Sequence, residues 1–207
     1  MALTFQNQFY SDKVKLIVGV DEAGRGPLAG PVVAGAVIFS RAYINKEIND
    51  SKQLSEKKRE ELFEIIKRDA LGYGIAKVEA NKIDEVNIYE ATKLAMKEAI
   101  NKIQISYDLI ITDAMPLEGF SCEVKPFIKG DARFLCIAAA SILAKVSRDR
   151  EMVKLGEIYK GFSFRIHKGY GTKLHLEELK KNGPIENVHR KSFKPVKDYF
   201  SQQIKLF

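Results

Sequence analysis

The chain has 207 residues, of which 45% are apolar and 29% charged, and its 34 lysines and arginines against 27 acids give a net charge of +7. This length predicts one domain, and this composition disfavours a disordered chain. The apolar uncharged run at residues 134–144 is shorter than the ~20 residues that cross a bilayer, so we expect no membrane span. The positive charge is compatible with a polyanionic partner but does not establish one.

The first half of the chain alternates strand-like runs with helical patterns. The first run of β-forming residues stops at Asp21 and Glu22, and a loop with Gly24, Gly26 and Gly30 follows it. The predicted elements are strands at residues 14–20, 32–39 and 71–78, a helix that begins near Ser55, and a second helix capped by Asn81.

The second half predicts two more strands and then helices alone. The strands lie at residues 108–112 and 123–128, and the helices at residues 132–145, from Thr172 to Gly183, and from Pro195 onward. The alanine-rich run at 132–145 is typical of a helix buried on nearly every side, and HKGYGT at residues 167–172 is typical of a loop. We therefore predict an α/β core with a helical C-terminal region, divided into residues 1–160 and 161–207.

The cysteines and the N-terminal segment bear on the compartment. Cys122 and Cys136 have neither the spacing of a metal site nor that of a secreted disulfide framework, so we expect two reduced, buried thiols. The first 15 residues lack the apolar core of a signal peptide. These observations predict a cytoplasmic protein.

Four acids lie where predicted strands end or a helix begins: Asp21, Glu22, Asp113 and Asp131. Carboxylates at neighbouring strand ends converge, and divalent cations relieve their repulsion. Oxygen ligands select hard ions such as Mg²⁺ or Mn²⁺, and two ions ~3.5–4 Å apart activate water against a phosphodiester. Each acid alone also has an ordinary explanation as a strand-end or helix-cap residue, so the spacing leaves both interpretations open.

The glycine loop admits a second interpretation, a dinucleotide-binding turn. Such a turn opens a helix, whereas here a strand is predicted at residues 32–39. In addition, Pro27 removes one backbone donor, and acids stand where the turn should begin. The pattern therefore disfavours a Rossmann site.

Five sequence blocks together resemble type 2 ribonuclease H (ribonuclease HII). They are GVDEAGRGPLAGPVVAGAV from Gly19, DSKQLSEKKRE from Asp50, the strand-end Asp113, KGDARFLCIAAASILAKVSRDR from Lys129, and HKGYGT from His167. The similarity covers nearly the whole chain, from about Lys15 to Phe193. One block could arise by chance, but five in the family's order are highly specific.

This resemblance implies a ribonuclease H-like fold, with a five-stranded mixed sheet flanked by helices and followed by a C-terminal helical region. It implies an endonuclease that cleaves RNA in RNA–DNA hybrids and nicks DNA on the 5′ side of single ribonucleotides, leaving 3′-hydroxyl and 5′-phosphate ends. The expected partner is nucleic acid, the expected cofactors are two Mg²⁺ or Mn²⁺ ions, and the expected state is a monomer.

By the same resemblance, the four acids form the metal-binding catalytic set: Asp21, Glu22, Asp113 and Asp131. Asp21 would bridge both ions. Asp131 would help hold the ion that activates water, and Glu22 with Asp113 would hold the ion on the leaving-group side.

The resemblance assigns substrate recognition to a second set: Gly24, Arg25, Gly26, Lys52 and Tyr170. Glycine lets the backbone approach the 2′-hydroxyl that distinguishes RNA from DNA, and Arg25 can fork onto a phosphate. Lys52 matches a lysine near the scissile phosphate, and Tyr170 matches a tyrosine that stacks on the nucleotide after the ribonucleotide. For His167, a structural role and a substrate contact both remain open.

Three positions depart from the family pattern. Ala114 follows Asp113 where glycine is frequent, and we expect it to alter the turn but not the ligand. Phe134 and Cys136 stand where serine is common, and loss of a hydroxyl near Asp131 would affect affinity more than chemistry.

The C-terminal region carries two further signals. The basic stretch from His189 to Lys197 suggests phosphate contacts, with a solvated surface as the alternative. The last five residues resemble the short peptide by which bacterial replication proteins dock on the sliding clamp, and they also suit an amphipathic helix packed on the core. These residues are Gln203, Ile204, Lys205, Leu206 and Phe207.

Two alternative functions are considered beside this one. A DNA nuclease of the same superfamily, such as a junction resolvase, is disfavoured by the glycine loop and Tyr170. A non-catalytic binder of RNA–DNA hybrids is disfavoured because all four acids are present.

Overall fold

The structure of the protein is a computed structural model that describes the backbone of residues 5–204 and the side chains of residues 6–200. Its strands are β1 (Ile17–Ala23), β2 (Val32–Ile38), β3 (Gly72–Val78), β4 (Leu109–Asp113) and β5 (Glu123–Phe127). They form one sheet in the order β3-β2-β1-β4-β5. The pairs β1–β2 and β2–β3 are antiparallel, whereas β1–β4 and β4–β5 are parallel. The predicted five-stranded mixed sheet is confirmed.

The helices are α1 (Glu56–Asp69), α2 (Ala80–Asn101), α3 (Leu135–Ile158), α4 (Phe164–His167), α5 (Lys173–Asn182) and α6 (Val196–Ile204). Two predicted caps are confirmed, because the side chains of Ser55 and Thr172 accept backbone N–H groups at the starts of α1 and α5. In the part of the chain that the structure covers, no helix has the length and apolarity of a membrane span.

The predicted cap of α2 is wrong. This helix begins at Ala80 behind Glu79, whose side chain makes no capping bond. The asparagine that caps is Asn87, which has a left-handed backbone (φ 70°) at a kink and accepts the N–H groups of Tyr89 and Glu90. Sequence pattern did not predict this kink, because the apolar spacing continues across it.

Two further boundaries differ from prediction. β1 continues through its acids to Ala23, because it stays paired with β2 beyond the end of its apolar run. α3 begins at Leu135 instead of residue 132 and extends to Ile158, since Gly130–Ala132 form a separate 3-10 helix.

The core lies on both faces of the sheet. Along β1, Ile17 packs in a cluster with α1 and α3, whereas Val18 and Val20 pack in a second cluster with α2. A Cβ added at Gly19 would lie 2.3 Å from the backbone of Cys136, so this glycine allows α3 to lie directly on the sheet. Cys136 is buried as predicted, but Cys122 is only half-buried, and both are free thiols.

A third apolar cluster joins the C-terminal region to the rest of the chain. Phe162, Phe164 and Leu179 pack in it against Leu28 and Met152. The segment that follows the glycine loop therefore belongs to the same core as the C-terminal helices. The division of the chain at residue 160 stays a prediction.

Candidate metal centre and substrate cleft

The register of the sheet places Asp21 and Asp113 side by side. β1 and β4 run parallel, and Val20 pairs with Thr112. The next residue of each strand is an acid, so the two carboxylates leave the same edge of the sheet on the face that packs against α3. Asp21 is nearly buried, with 5% of its surface exposed.

Asp131 joins this pair from the turn that precedes α3. Residues Gly130–Ala132 form the short 3-10 helix, and the N–H of Gly130 donates to Asp113 Oδ1 at 2.8 Å. One carboxylate oxygen from each of Asp21, Asp113 and Asp131 lies within 4.8 Å of the other two. These three acids converge as their spacing predicts.

Glu22 stands apart from this triad, because successive side chains of a strand point to opposite faces. It nevertheless lines the same cleft as Asp21 and Asp113. Its Oε1 lies 3.5 Å from Arg25 Nη1, whereas its Oε2 is buried and has no hydrogen-bond partner among the described residues. Such an oxygen is costly to leave unpaired, and a cation in the cleft would satisfy it.

The acids raise one another's proton affinity. Burial, followed by the charges of Glu22 and Asp113, raises the pKa of Asp21 well above its ordinary value. Burial also raises the pKa of Asp113 and of Glu22. The cleft thus holds more negative charge than its protein surroundings compensate. A donor set of carboxylates alone fits a hard divalent cation, and the unpaired oxygen of Glu22 supports that fit.

The glycine loop closes one side of the cleft. Gly24 has a left-handed backbone (φ +99°), and a Cβ there would lie 2.1 Å from Arg148 Nε. Gly26 differs, because a Cβ there would meet no atom within 4 Å. Arg25 lies between them with its side chain exposed at the cleft. Gly24 is therefore needed by the fold, whereas Gly26 faces open space and is not among the residues that line the cleft.

Two fully buried arginines hold this loop from behind. Arg148 donates to the carbonyls of Ala29 and Pro31 at 3.1 and 3.0 Å. Arg190 donates to the carbonyls of Gly24 and Arg25 at 2.6 and 2.9 Å. Neither forms an ion pair within residues 6–200. Their positive charges therefore face backbone carbonyl oxygens instead of carboxylates.

The predicted phosphate-contacting role of the stretch from His189 is wrong for its first two residues. His189 and Arg190 are 1% and 0% exposed, so neither reaches a ligand at the surface. Their hydrogen bonds go to backbone groups and to other buried side chains. Lys191, the next residue, is exposed. The sequence shows that this stretch is basic. It does not show that carbonyl groups of the glycine loop, distant in sequence, lie where Arg190 can donate to them.

Tyr170 lines the cleft together with Gly24 and Arg25 of the glycine loop. It is 44% exposed, and its ring centroid lies 5.7 Å from Arg148 Cζ. Of the two roles left open for His167, the structure supports the structural one. Its Nε2 lies 3.0 Å from a Glu178 oxygen, and its Nδ1 accepts the N–H of Gly169.

Lys52 approaches the acids from the loop before α1. Its Nζ lies 3.4 Å from Asp131 Oδ2, although 78% of the side chain is exposed. Sequence reasoning missed three residues that line the cleft: Ala23, Ser51 and Lys145. Lys145 bonds to Asp149 at 2.6 Å. A lysine within the otherwise apolar first half of α3 was the available signal.

Of the three departures from the family pattern, Ala114 adjoins the cleft residue Asp113, whereas Phe134 and Cys136 lie in the core. Ala114 has the left-handed backbone (φ 54°) that explains why glycine is frequent there, and the triad is intact beside it. The rings of Phe134 and Phe127 pack at 4.7 Å in the core, and the thiol of buried Cys136 lies 3.5 Å from Gln6. Neither Phe134 nor Cys136 lines the cleft.

The clamp-like peptide at residues 203–207 falls outside the residues whose side chains are described. The backbone of α6 extends to Ile204. The clamp-docking prediction is therefore not tested by the fold.

Comparison with known proteins identifies the family. The family model described as Ribonuclease HII matches residues 18–196. Ribonuclease HII of Clostridioides difficile strain 630 is 50% identical over 189 residues, which cover 91% of this chain and 74% of that protein.

Two solved structures share the fold. The ribonuclease H2 of Pyrococcus horikoshii OT3 has a TM-score of 0.76 and 27% identity, with 92% of this chain and 99% of that chain covered. The ribonuclease HII of Archaeoglobus fulgidus, solved in complex with PCNA, has a TM-score of 0.70 and 28% identity, with 86% and 95% covered. The chain therefore belongs to the ribonuclease HII family of endoribonucleases.

Proposed function

We propose that the chain nicks duplex DNA on the 5′ side of an embedded ribonucleotide and cleaves the RNA strand of RNA–DNA hybrids, leaving 3′-hydroxyl and 5′-phosphate ends. The observation that carries this proposal is the shared cleft. Asp21, Glu22 and Asp113 line it together with the glycine loop and Tyr170. Groups suited to phosphodiester hydrolysis and groups suited to sensing a ribose therefore line one cleft.

The carboxylates would hold two Mg²⁺ or Mn²⁺ ions: Asp21, Glu22, Asp113 and Asp131. When bound, such a pair supplies an activated water and stabilises the leaving oxygen. By the family resemblance Asp21 would be a ligand of both ions, and the approach of the Asp21, Asp113 and Asp131 oxygens to within 4.8 Å of one another supports a shared site. By the same resemblance, Asp131 would help hold the ion that activates water, and Glu22 with Asp113 would hold the ion on the leaving-group side.

The cations of the cleft position the substrate. Lys52 projects from Asp131 into solvent, where its ammonium can meet the scissile phosphate. Arg25, paired loosely with Glu22, can exchange that contact for a bidentate phosphate contact. The backbone of the glycine loop, fixed by Arg190, presents its polar groups to the 2′-hydroxyl.

Replacing Arg25 with alanine is expected to reduce the preference for a duplex with one ribonucleotide over an all-DNA duplex by about tenfold or more, because the charge-assisted contact that would hold the ribonucleotide's phosphate while the glycine loop meets its 2′-hydroxyl is lost. The measurement is the ratio of kcat/KM on the two duplexes. Arg41→Ala, at an exposed arginine outside the cleft, is the matched control. An unchanged ratio in Arg25→Ala would remove Arg25 from ribonucleotide recognition.

The experiment that tests the proposed function is to map the nick in a duplex that carries one ribonucleotide, with and without Mg²⁺. We expect a single Mg²⁺-dependent cut immediately 5′ of the ribonucleotide. A cut at another position, or equal cutting of the all-DNA duplex, would favour the alternative of a general DNA nuclease.

We also propose that the chain is a monomer that docks on a sliding clamp through residues 203–207. The support is the likeness of these residues to clamp-binding peptides and the relative solved in complex with PCNA. Clamp capture by the full chain should be lost when these five residues are removed. Equal capture by both forms would refute this docking.

A further inference from the structure

We propose that His175, His189 and Arg190 are positioning residues that hold the glycine loop and Tyr170 at a fixed separation, and thereby set the selectivity for a ribonucleotide junction without touching the substrate. The inference rests on the proposed function, in which the loop and Tyr170 contact the substrate. All three residues are buried.

Arg190 and its neighbours hold the glycine-loop side. Besides its bonds to the loop, the Arg190 guanidinium donates to the carbonyl of Gly30 at 2.8 and 3.0 Å. The backbone N–H of Arg190 donates to the carbonyl of Leu28 at 2.8 Å, and His189 forms a β-bridge with Ala29. The segment around His189 and Arg190 therefore pairs through its backbone with Leu28 and Ala29, which follow the loop.

The histidines hold the Tyr170 side, and their hydrogen bonds fix where each proton lies. His189 Nδ1 accepts the N–H of Ile185 at 2.9 Å, so a neutral His189 carries its proton on Nε2. That proton faces His175 Nε2 at 3.1 Å. His175 must accept there, so its own proton is on Nδ1, which donates to the carbonyl of Tyr170 at 2.9 Å. One arrangement of protons satisfies the whole chain of bonds.

The surroundings keep this chain neutral. Burial, followed by the nearby charge of His175, lowers the pKa of His189 to about 4. Burial also lowers the pKa of His175, with His167 as the next cause. The His167 ring stacks on His175 at 4.2 Å, and its Nε2 is paired with Glu178. A second proton on His175 would bring its Nε2–H against the Nε2–H of His189. A second proton on His189 would bring its Nδ1–H against the N–H of Ile185.

The support of Tyr170 and the support of the glycine loop start from two adjacent residues, His189 and Arg190. His189 reaches Tyr170 through His175, and Arg190 reaches the glycine loop directly. The Tyr170 backbone is held from behind while its ring stays exposed to the cleft. None of the three positioning residues lines the cleft. Their loss should therefore weaken substrate placement and leave the carboxylate triad intact.

The test compares two substitutions of His175. His175→Phe keeps an aromatic ring but loses the donor, and His175→Asn restores an amide donor near the place of Nδ1. On a duplex with one ribonucleotide, we expect His175→Phe to raise KM about fivefold, the effect of one lost hydrogen bond, with kcat unchanged. His175→Asn should recover most of the wild-type KM.

Phe162→Leu is the matched control for damage to packing. Phe162 packs against the rings of His175 and His189 at 5.9 and 4.9 Å but donates no hydrogen bond from its side chain. We expect it to lower stability and leave KM unchanged. An equal rise of KM in Phe162→Leu and His175→Phe would show a merely structural role and overturn the proposal.

Combination with Tyr170→Ala separates this inference from the proposed function. If His175 acts through Tyr170, His175→Phe has no further effect on KM once Tyr170 is removed, whereas independent effects would multiply and overturn the inference. Tyr170→Ala with wild-type KM and selectivity would refute the role of Tyr170 itself. An effect of Tyr170→Ala with none of His175→Phe would refute the positioning role alone.

A measurement on the unmodified protein does not depend on whether the variants fold. Ring ¹⁵N chemical shifts report the protonated nitrogen of each histidine. At neutral pH we expect the proton on Nδ1 of His175 and on Nε2 of His189. A proton on Nε2 of His175 would break the proposed chain of bonds.

Discussion

Replacing Asp21 with asparagine is expected to lower kcat/KM by at least about 10³-fold, since loss of several kcal/mol of transition-state stabilisation has an effect of this size. The Asp21 carboxylate lies within 4.8 Å of the ligand oxygens of Asp113 and Asp131, and the charges of Glu22 and Asp113 help to raise its pKa. The asparagine Oδ1 can still accept the N–H of Glu22, which Asp21 Oδ1 accepts at 2.7 Å. The backbone should therefore keep its shape while the cation site loses a charge.

The same substitution should stabilise the protein when a chelator removes divalent ions. The pKa of Asp21 is raised in the folded state, so the stability it contributes is fully present below the unfolded carboxyl pKa and is lost as the pH rises through the raised value. At neutral pH Asp21 therefore opposes folding, because burial penalises its charge, and asparagine removes that cost. Added Mn²⁺ should reverse the order, because only the wild type gains the full binding energy.

Thermal unfolding with chelator and with Mn²⁺ measures this reversal, alongside cleavage assays. Asp12→Asn, at an exposed aspartate outside the cleft, is the control and should change neither property. Cleavage by Asp21→Asn at a rate near that of the wild type would refute the metal assignment.

Alanine at Gly24 is expected to lower the free energy of unfolding by about 3 kcal/mol, since a left-handed backbone costs a side chain about 1–2 kcal/mol and overpacking adds about 1–3 kcal/mol. The added Cβ would lie 2.1 Å from Arg148 Nε and 2.7 Å from the carbonyl oxygen of Pro31. Displacement of buried Arg148 would release the loop, so KM for a ribonucleotide duplex should also rise.

Gly26→Ala is the matched substitution in the same loop. Its Cβ would meet no atom within 4 Å, so the free energy of unfolding should change by no more than about 0.5 kcal/mol. Denaturant unfolding of both variants in chelator gives the comparison. Equal loss of stability at the two positions would contradict the described path of the loop.

The sheet and the triad could be predicted from the sequence because both follow from local patterns. Apolar runs locate the strands, and acids at the ends of β1 and β4 meet once those strands pair in parallel. The side of the strand on which Glu22 lies was not predicted, since β1 was expected to stop before the acids. Its actual course to Ala23 makes Glu22 alternate away from Asp21.

The supports of the substrate cleft could not be predicted, because their partners are far apart in sequence. Arg190 donates to the carbonyls of Gly24 and Arg25, which lie 166 and 165 residues earlier in the sequence. From sequence, His189 and Arg190 belong to a basic surface stretch. Only the packing of the C-terminal region shows that they are buried and serve backbone carbonyls.

Anomalous scattering from Mn²⁺ tests the central claim most directly. Crystals of the protein grown with Mn²⁺ and a duplex that carries a ribonucleotide should show two peaks ~3.5–4 Å apart, bound by Asp21, Glu22, Asp113 and Asp131. The absence of any peak among these four carboxylates, at a Mn²⁺ concentration that supports cleavage, would contradict the claim.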